Sequence, residues 1–288
     1  MLVHLNGRLV EEAEAVLPVF DRGFLYGDGV FESMRATHGR IFRLEAHLER
    51  MERSAALAEF EGLPHRSTLA AELADLLRAN RLAEARLRLT LTRGAGRPGD
   101  YVGSQGAPTR VATAVPFQGL DPLHYERGVA LRVSRRQAVP GAVLDAAIKT
   151  TSRLAAVLAR REAARAGAFE AALLDASGNL TEGTTSNLFL VREGRVLTPA
   201  IDGNALPGVT RAVVLETARS SGIPVDECPL PAALLNVADE IFLTNTSWEV
   251  LPVTSVDGRP AGGGRPGPIT ATLLSGYRAQ VRRECGPS

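Results

Sequence analysis

The sequence predicts an α+β protein in which mixed sheets are flanked by helices. The chain has 288 residues, of which 45% are apolar, so it can fill one large core or two smaller ones. Helix and strand patterns do not alternate regularly enough for a doubly wound parallel sheet. The stretch Phe117–Pro122 follows a predicted strand and is the candidate linker. We therefore predict a small N-terminal domain over 1–118 and a larger C-terminal domain over 122–288.

Turn residues and apolar spacing predict the elements of the first domain. Asn6-Gly7 between two apolar runs indicates a hairpin. Apolar residues that recur every three or four positions indicate two helices, the second with Ser67 as its N-cap. Leucines at every second position indicate a strand with one buried face. In chain order we expect a hairpin at Leu2–Val10, a glycine-punctuated stretch at Tyr26–Arg35, helices at Leu44–Phe60 and Ser67–Ala79, a strand at Arg86–Thr92 and a loop at Gly94–Pro108.

The second domain shows the same kinds of pattern. Gly167 and Gly222 each follow a helical pattern and are expected to end a helix. Glu193-Gly194 separates two apolar runs and indicates a hairpin. We expect strands at Ala130–Ser134 and Ala171–Leu174, a hairpin of Asn187–Val191 with Val196–Thr198, strands at Glu240–Thr244 and Val250–Val256, helices at Ser152–Ala166 and Thr210–Ser221, a loop at Gly262–Gly267 and a short final helix.

Composition excludes several classes of function. The 33 basic and 32 acidic side chains nearly cancel, which argues against a partner such as nucleic acid or an acidic membrane surface. No apolar run reaches the roughly 18 residues of a membrane span, and the N-terminus does not resemble a secretory signal. The two cysteines and five histidines show no metal-ligand spacing, so we expect no metal and a cytoplasmic protein.

One glycine pattern resembles a nucleotide-binding motif. Residues 94–99 match G-x-G-x-x-G after a predicted strand. A dinucleotide site also needs a helix that begins at this motif, and Pro98 with the residues after it does not predict one. The pattern therefore does not indicate a dinucleotide site.

The chain contains 32 arginines and a single lysine, Lys149. Arginine can replace lysine on a solvated surface, but not where a neutral, nucleophilic amine is needed. Lys149 follows Ala147-Ile148 and precedes three hydroxyl residues, at the expected edge of a core. Partial burial there would lower its pKa and favour Schiff-base chemistry. The alternative is a lysine that survived by chance and extends to solvent at the start of a helix.

Three further segments could bind an anionic, nitrogen-containing cofactor. Glu182 lies among small hydroxyl residues before an apolar strand, where a buried carboxylate would need a cationic partner; an ordinary turn acid is the alternative. Leu206–Arg211 opens a predicted helix, whose free N–H groups bind anions, and Asn245–Ser247 could add donors. Arg50 shares a helix face with His47 and could clamp a phosphate.

Taken together, these segments resemble the class IV, or fold type IV, pyridoxal-phosphate (PLP) aminotransferases, over about residues 5–258. The resemblance implies a two-domain protomer with PLP held between the domains, and a homodimer in which a partner loop completes each site. The segments that carry it, in order, are Asp21–Glu32, His47–Arg50, Thr92–Gly94, Ile148-Lys149, Glu182-Gly183 with Asn187–Phe189, and Leu206–Arg211.

The resemblance assigns roles to individual residues. Lys149 would bind PLP as a Schiff base and move the proton at the substrate Cα. Glu182 would keep the pyridine nitrogen protonated, and Leu206 would pack on the ring. The phosphate would be bound by Arg50, Val209, Thr210 and Thr246, with Asn245 and Thr185 also near the cofactor. The substrate would contact Tyr26, Phe31, Arg86, Arg88, Arg97 and Ser247.

Within the family the sequence gives mixed indications of the substrate. Tyr26 and Phe31 resemble the branched-chain enzymes, whereas Arg97 resembles the carboxylate-binding arginine of the D-amino acid enzymes and of aminodeoxychorismate lyase. Arg86 and Arg88 project from the same strand face, and several converging arginines favour carboxylate substrates, although exposed edge-strand charges are the alternative. The leading hypothesis is an aminotransferase that acts on a D-amino acid or a branched-chain amino acid with a 2-oxo acid acceptor. The alternatives are the lyase, which eliminates pyruvate, and a non-catalytic PLP-binding protein.

Overall fold

The computed structural model describes residues 1–97, 99, 101, 107–202 and 204–286. These residues form two compact units. The first contains 1–118 together with Ile148–Arg153 and the C-terminal residues from Val281, and the second contains Gly119–Ala147 and Leu154–Gln280. The sequence had assigned Lys149 to the C-terminal domain, whereas the structure groups it with the first unit. The reason is that its segment hydrogen-bonds to a strand of that unit.

The first unit is built on a six-stranded antiparallel sheet with the strand order β2-β1-β6-β5-β3-β4. Its strands are β1 (Leu2–Leu5), β2 (Arg8–Glu11), β3 (Gly29–Thr37), β4 (Arg40–Ile41), β5 (Ala85–Thr92) and β6 (Thr109–Pro116), and its helices are α1 (Arg22–Tyr26), α2 (Leu44–Leu57) and α3 (Arg66–Ala79).

Alternation along β5 divides this sheet into two faces. Leu87, Leu89 and Leu91 are fully buried and belong to one apolar cluster with residues of α2 and α3. Arg86 and Arg88, at the intervening positions, are exposed on the opposite face. The helices therefore cover one face of the sheet, and the other face carries polar groups.

The second unit contains a ten-stranded mixed sheet. Nine strands follow the order β12-β11-β10-β14-β15-β7-β8-β9-β13, and β16 pairs with β15. Its strands are β7 (Val129–Val133), β8 (Glu170–Leu174), β9 (Asn179–Gly183), β10 (Asn187–Arg192), β11 (Arg195–Thr198), β12 (Val225–Glu227), β13 (Leu230–Pro231), β14 (Glu240–Asn245), β15 (Glu249–Val256) and β16 (Arg259–Pro260), and its helices are α4 (Leu123–Arg127), α5 (Leu154–Arg165) and α6 (Val209–Ser220). Helix α7 (Pro268–Cys285) belongs to this unit as far as Gln280.

Most of the predicted elements are confirmed to within a few residues, and the α+β class with mixed sheets is confirmed. Several details differ. The stretch at Tyr26–Arg35, predicted only as glycine-punctuated, contains most of the long strand β3. The N-cap of α3 is His65, whose ring accepts the Ser67 N–H, rather than Ser67 itself. The final helix, α7, has 18 residues and is not short. Strand β9 was missed because its sequence, Asn-Leu-Thr-Glu-Gly, has one large apolar residue, and its pairing with β8 and β13 makes it a strand. Part of the predicted loop at Gly94–Pro108 lies outside the described residues.

Among the described residues, none of the helices combines the length and the apolarity needed to cross a bilayer.

Leu87 tests how strongly the first core depends on β5. Its side chain is fully buried, whereas Leu57 at the end of α2 is 46% exposed. We expect Leu87→Ala to lower the free energy of unfolding by about 2–5 kcal/mol, because it removes buried methyl groups and leaves a cavity. The matched substitution Leu57→Ala should change it by less than about 0.5 kcal/mol. Urea unfolding of both variants measures the difference, and equal losses would contradict the assignment of this core.

Candidate active site

Lys149 lies in a segment that is hydrogen-bonded to the start of β3. The Phe31 N–H donates to the Lys149 carbonyl at 2.9 Å, and the Thr151 N–H donates to the Gly29 carbonyl at 2.8 Å. On its other side, the Lys149 N–H donates to the Ser54 hydroxyl of α2 at 3.1 Å. The backbone of the lysine is thus fixed between a strand and a helix. Its Nζ lies 4.9 Å from the centre of the Phe31 ring.

Phe31 and Glu32 are neighbours in β3 and point to opposite faces of the sheet. Glu32 is fully buried and faces α2. It accepts hydrogen bonds from Nε and Nη2 of Arg50, both at 2.7 Å, and its second oxygen lies 2.8 Å from His47 Nδ1. Arg50 and His47 are three positions apart on one helix face, as predicted, and the structure brings both to one carboxylate.

The charges of this cluster shift the pKa values of its members. Burial acts to raise the pKa of Glu32, but the charges and hydrogen bonds of Arg50 and His47 outweigh it and hold that pKa far below its usual range. Burial lowers the pKa of His47 below its ordinary value of 6.5, and this effect exceeds the opposing effect of Glu32. The charges of Arg50 and Lys149 lower it further. At neutral pH the cluster therefore contains an ionised Glu32, a neutral His47 and a charged Arg50.

Several cationic groups gather on the Phe31 face of the sheet. The guanidinium of Arg88 lies 3.8 Å from the centre of the Phe31 ring. Desolvation lowers the pKa of Arg88, and the positive charges of Arg153 and Arg86 lower it further. The guanidiniums therefore repel one another, and a bound carboxylate would relieve that repulsion. Of the predicted site residues, the structure brings Lys149 and Arg88 to the ring of Phe31, and Arg86 lies next to Arg88 on the same face of β5.

Tyr26 is the last residue of α1, and Arg97 follows β5. The Tyr26 ring packs against the Tyr101 ring at 5.0 Å between centroids, and its hydroxyl accepts the Gly99 N–H. Arg97 is exposed on the segment that follows β5. In the part of the chain that the structure describes, no hydrogen bond or ring contact joins either residue to Phe31.

The second unit holds a separate group of predicted residues around Leu206. The Leu206 N–H donates to the Glu182 carboxylate at 2.9 Å, and the Leu206 carbonyl accepts from the Asn187 amide at 2.8 Å. Glu182 lies at the end of β9 and Asn187 begins β10, so the same tight connection orients both side chains. This arrangement holds the Glu182 carboxylate beside Leu206.

Helix α6 begins directly after this group. Its N-cap is Gly208, which has no side chain to cap the helix, and the first helical residues, Val209 and Thr210, are buried. A Cβ at Gly208 would lie 2.0 Å from the Asn187 side-chain oxygen, so only glycine fits there. An uncapped helix start presents backbone N–H groups and the positive end of the helix dipole, which suits a phosphate.

The turn after β14 is organised by Asn245. Its side-chain oxygen accepts the N–H groups of Ser247 and Trp248 at 2.9 and 2.7 Å, and its amide donates to the Thr185 carbonyl at 3.1 Å. Asn245 therefore shapes the turn, while Thr246 is half-buried within it. The preceding residue, Thr244, has a buried hydroxyl with no hydrogen-bond partner among the residues that the structure describes. Such a hydroxyl calls for a further polar group near this turn.

Sequence reasoning missed two buried carboxylates, Glu32 and Glu170. Glu32 could have been found from its position next to Phe31 in a strand, which directs it toward the helix of Arg50. Glu170 begins β8 and accepts the hydroxyl of Thr185, a predicted cofactor contact, at 3.1 Å. No sequence pattern pointed to Glu170. No group of side chains suited to a metal ion occurs in the described part of the chain.

Comparison with known proteins identifies the family. The model of the amino-transferase class IV family matches residues 29–256. The chain belongs to the class IV aminotransferase family. It is 39% identical to a putative branched-chain-amino-acid aminotransferase of Methanocaldococcus jannaschii, over 99% of this chain and 98% of that protein. It is 33% identical to the D-alanine aminotransferase of Listeria innocua, with the same coverage.

Solved structures of this family have the same fold. A branched-chain amino acid aminotransferase from T.th., solved with pyridoxamine 5'-phosphate, superposes with a TM-score of 0.93 at 30% identity, covering 99% of this chain and 95% of that one. The 4-amino-4-deoxychorismate lyase of Pseudomonas aeruginosa superposes with a TM-score of 0.85 at 31% identity, covering 99% and 100%. The class IV aminotransferases use PLP, so this chain is a PLP-dependent enzyme of fold type IV.

The donor set of this chain fits PLP. The uncapped start of α6 and the orphaned Thr244 hydroxyl suit a phosphate, and the Glu182 carboxylate suits a protonated pyridine nitrogen. Lys149 is the one side-chain amine in the sequence that can form the covalent link.

His47 predicts a specific pH dependence of stability. The pKa of His47 in the folded protein lies below 6.5. As the pH falls below 6.5, His47 is therefore protonated in the unfolded chain while it is still neutral in the folded protein. Stability is therefore lost on acidification. We expect His47→Asn to lose less stability than the parent protein between about pH 7 and about pH 5, as measured by urea midpoints. The control His38→Asn changes an exposed histidine and should follow the parent. Identical pH profiles for His47→Asn and the parent would contradict the buried, neutral assignment.

Proposed function

We propose that Lys149, Glu182 and Arg50 are the principal PLP-binding residues, and that Lys149 is the catalytic base. The observation that carries this is the fixed position of the sole lysine, whose backbone is held at β3 and α2 while its amine lies 4.9 Å from the centre of the Phe31 ring. When bound, PLP supplies an electron sink that stabilises negative charge at the substrate Cα.

The side chains have separate roles in binding and in proton transfer. Lys149 Nζ would take up the proton that leaves the substrate Cα. Glu182, held by the Leu206 N–H, would favour a proton on the pyridine nitrogen of PLP. The Val209 and Thr210 amides at the start of α6, Thr246 and Arg50 would hold the phosphate of PLP, and Leu206 would contact its ring.

For Arg50, the bond to Glu32 supports this role. An arginine side chain in solution adopts many conformations. The two hydrogen bonds from Arg50 to Glu32 fix the plane of this guanidinium. Glu32 also lowers the net charge of the pair, so Arg50 is buried at lower cost.

We propose an α-amino acid donor and a 2-oxo acid acceptor, both bound through carboxylates. Arg88, which lies beside Phe31, supports this assignment, because its desolvation and the positive charges of Arg153 and Arg86 favour an anionic ligand. Relatives named for D-alanine and for branched-chain amino acids point to those two substrate groups. The alternative is lyase activity, since the lyase of Pseudomonas aeruginosa has the same fold.

We propose that the enzyme is a homodimer of the cytoplasm. In the first unit Val16, Val19 and Phe24 are 72%, 66% and 75% exposed, a concentration of large apolar side chains that a second copy would cover. The exposed Arg97 would then serve the partner's site. Cys228 and Cys285 are free thiols, the form that a reducing compartment maintains.

Reductive trapping tests the role of Lys149. We expect the purified protein to absorb visible light through bound PLP, and borohydride to attach the cofactor irreversibly to one peptide, the one that contains Lys149. Lys149→Ala should bind PLP only noncovalently and lose turnover by at least about 10³-fold, because both the link and the base are gone. Absorbance, peptide mass spectrometry and steady-state assays measure these outcomes. Cofactor-saturated protein without an adduct, or near-normal turnover of Lys149→Ala, would contradict the proposal.

Substrate preference tests the arginines. Each of D-alanine, D-glutamate and L-leucine is mixed with the PLP form, and the loss of its visible band identifies the amino donor. If Arg88 binds a second carboxylate, Arg88→Ala should raise KM for glutamate about 10- to 100-fold, the effect of one charge-assisted hydrogen bond, and leave alanine nearly unchanged. Arg97→Ala should raise KM for every amino acid if that residue binds the α-carboxylate.

The matched control is Arg78→Ala, which removes an exposed arginine of α3. Equal effects of Arg88→Ala on alanine and glutamate would remove Arg88 from the carboxylate site. Release of pyruvate from aminodeoxychorismate, without amino transfer in any half-reaction, would favour the lyase.

A further inference from the structure

Glu170 is a buried carboxylate that the proposed chemistry does not use. It begins β8 and has no exposed surface. Three consecutive hydroxyls donate to it, those of Thr184, Thr185 and Ser186, at 2.5, 3.1 and 3.3 Å. The Ala171 N–H adds a bond of 2.8 Å, and a guanidinium nitrogen of Arg160 lies 2.9 Å away. A buried charge with this many donors is fully compensated, which requires every donor to keep its position.

The three hydroxyls form the connection between β9 and β10. This connection joins Glu182 to Asn187, the two residues that hold the backbone of Leu206 from either side. The turn is closed tightly, since the Gly183 N–H donates to the Ser186 carbonyl at 2.7 Å and a Cβ at Gly183 would lie 2.2 Å from the Ser186 hydroxyl. Glu170 therefore fixes the turn on which the position of the Glu182 carboxylate depends.

Arg160 links Glu170 to the second loop of the proposed cofactor site. Its guanidinium lies 5.2 Å from the ring centres of both Phe169 and Trp248. Trp248 belongs to the turn of Asn245, because its N–H donates to the Asn245 side chain at 2.7 Å. Asn245 in turn donates to the Thr185 carbonyl at 3.1 Å. The contacts thus form a closed ring that runs from Glu170 through Thr185, Asn245, Trp248 and Arg160 back to Glu170.

We propose that Glu170 and Arg160 are positioning residues that fix the Glu182 turn and the Asn245–Trp248 turn relative to each other. This inference rests on the proposed function, in which the first turn holds the pyridine nitrogen and the second contributes Thr246 to the phosphate. The two ends of PLP are a fixed distance apart, so a site that binds both ends gains affinity when its two turns are held in register before binding.

The experiment uses Glu170→Gln, which keeps the size of the side chain and removes its charge, and Arg160→Met, which keeps a long stem without the guanidinium. Trp248 is the only tryptophan in the chain, so its emission in the PLP-free protein reports directly on the second turn. We expect each substitution to change that emission. We also expect a rise in the Kd for PLP of about 10- to 100-fold, the usual cost of losing a residue that orients a ligand-binding group.

Two further measurements separate positioning from general stabilisation. The pH at which the visible band of the bound cofactor changes should shift in Glu170→Gln, because the position of Glu182 sets the charge of the ring nitrogen. The double variant should raise the Kd for PLP by less than the product of the single effects, since both residues belong to one ring of contacts. The control Asp226→Asn breaks an exposed ion pair with Arg195 in the same unit and should leave emission, Kd and pH profile unchanged.

The outcomes distinguish this inference from the proposed function. Trapping of PLP at Lys149 in the parent protein, together with unchanged Kd, emission and pH profile in both variants, would overturn the positioning role alone. A lower melting temperature with an unchanged Kd would overturn it as well, since only stability would depend on the pair. Failure of the parent protein to form the lysine adduct would overturn the proposed function. If Glu170→Gln does not fold, Arg160→Met and Arg160→Lys supply the same tests, and Arg160→Lys should restore part of the affinity for PLP.

Discussion

The first unit depends on the pairing of one buried carboxylate, Glu32, with Arg50 and His47. An ionised group without exposed surface is stable only with hydrogen-bonded partners of opposite charge, and removing one partner typically costs about 3–5 kcal/mol. The pairing fixes α2 against β3 in one register. That register also presents the Ser54 hydroxyl to the Lys149 N–H. The same interaction therefore places an arginine for an anion and supports the backbone of the lysine.

Successive residues of β3 point to opposite faces of the sheet, so the pairing of Glu32 also determines which face carries Phe31. Since Glu32 must face α2, Phe31 faces the opposite side, where it meets Lys149 and Arg88. Desolvation lowers the pKa of Arg88 on that side, and the positive charges of Arg153 and Arg86 lower it further. Such repulsion lowers the stability of the ligand-free protein, and the binding of an anionic ligand restores that stability. The carboxylate preference that we propose would thus depend on the same strand that carries the buried pair.

The second unit also contains a buried carboxylate, Glu170, that needs hydrogen-bonded partners. Glu170 collects three hydroxyls and a guanidinium, and the connection it holds carries Glu182 at one end and Asn187 at the other. In each unit the hydrogen bonds of a buried carboxylate fix the position of a chain segment. Other groups of that segment belong to the proposed ligand site. Neither acid needs to touch substrate to affect catalysis, because the geometry of the groups that do touch it depends on their partners.

The sequence by itself determined most of the elements, because local spacing encodes them, and the family and the cofactor followed from its resemblance to the class IV aminotransferases. Apolar periodicity defined α2, α3 and β5, and the order of the motifs around Lys149 and Glu182 was sufficient to identify a class IV aminotransferase. Only the tertiary structure decided that Lys149 belongs to the first unit, and that Glu32 and Glu170 are buried centres of hydrogen bonding. The physical reason is that these features depend on contacts between residues distant in sequence. No local pattern distinguishes a carboxylate that meets Arg50, or Arg160, from one that meets water.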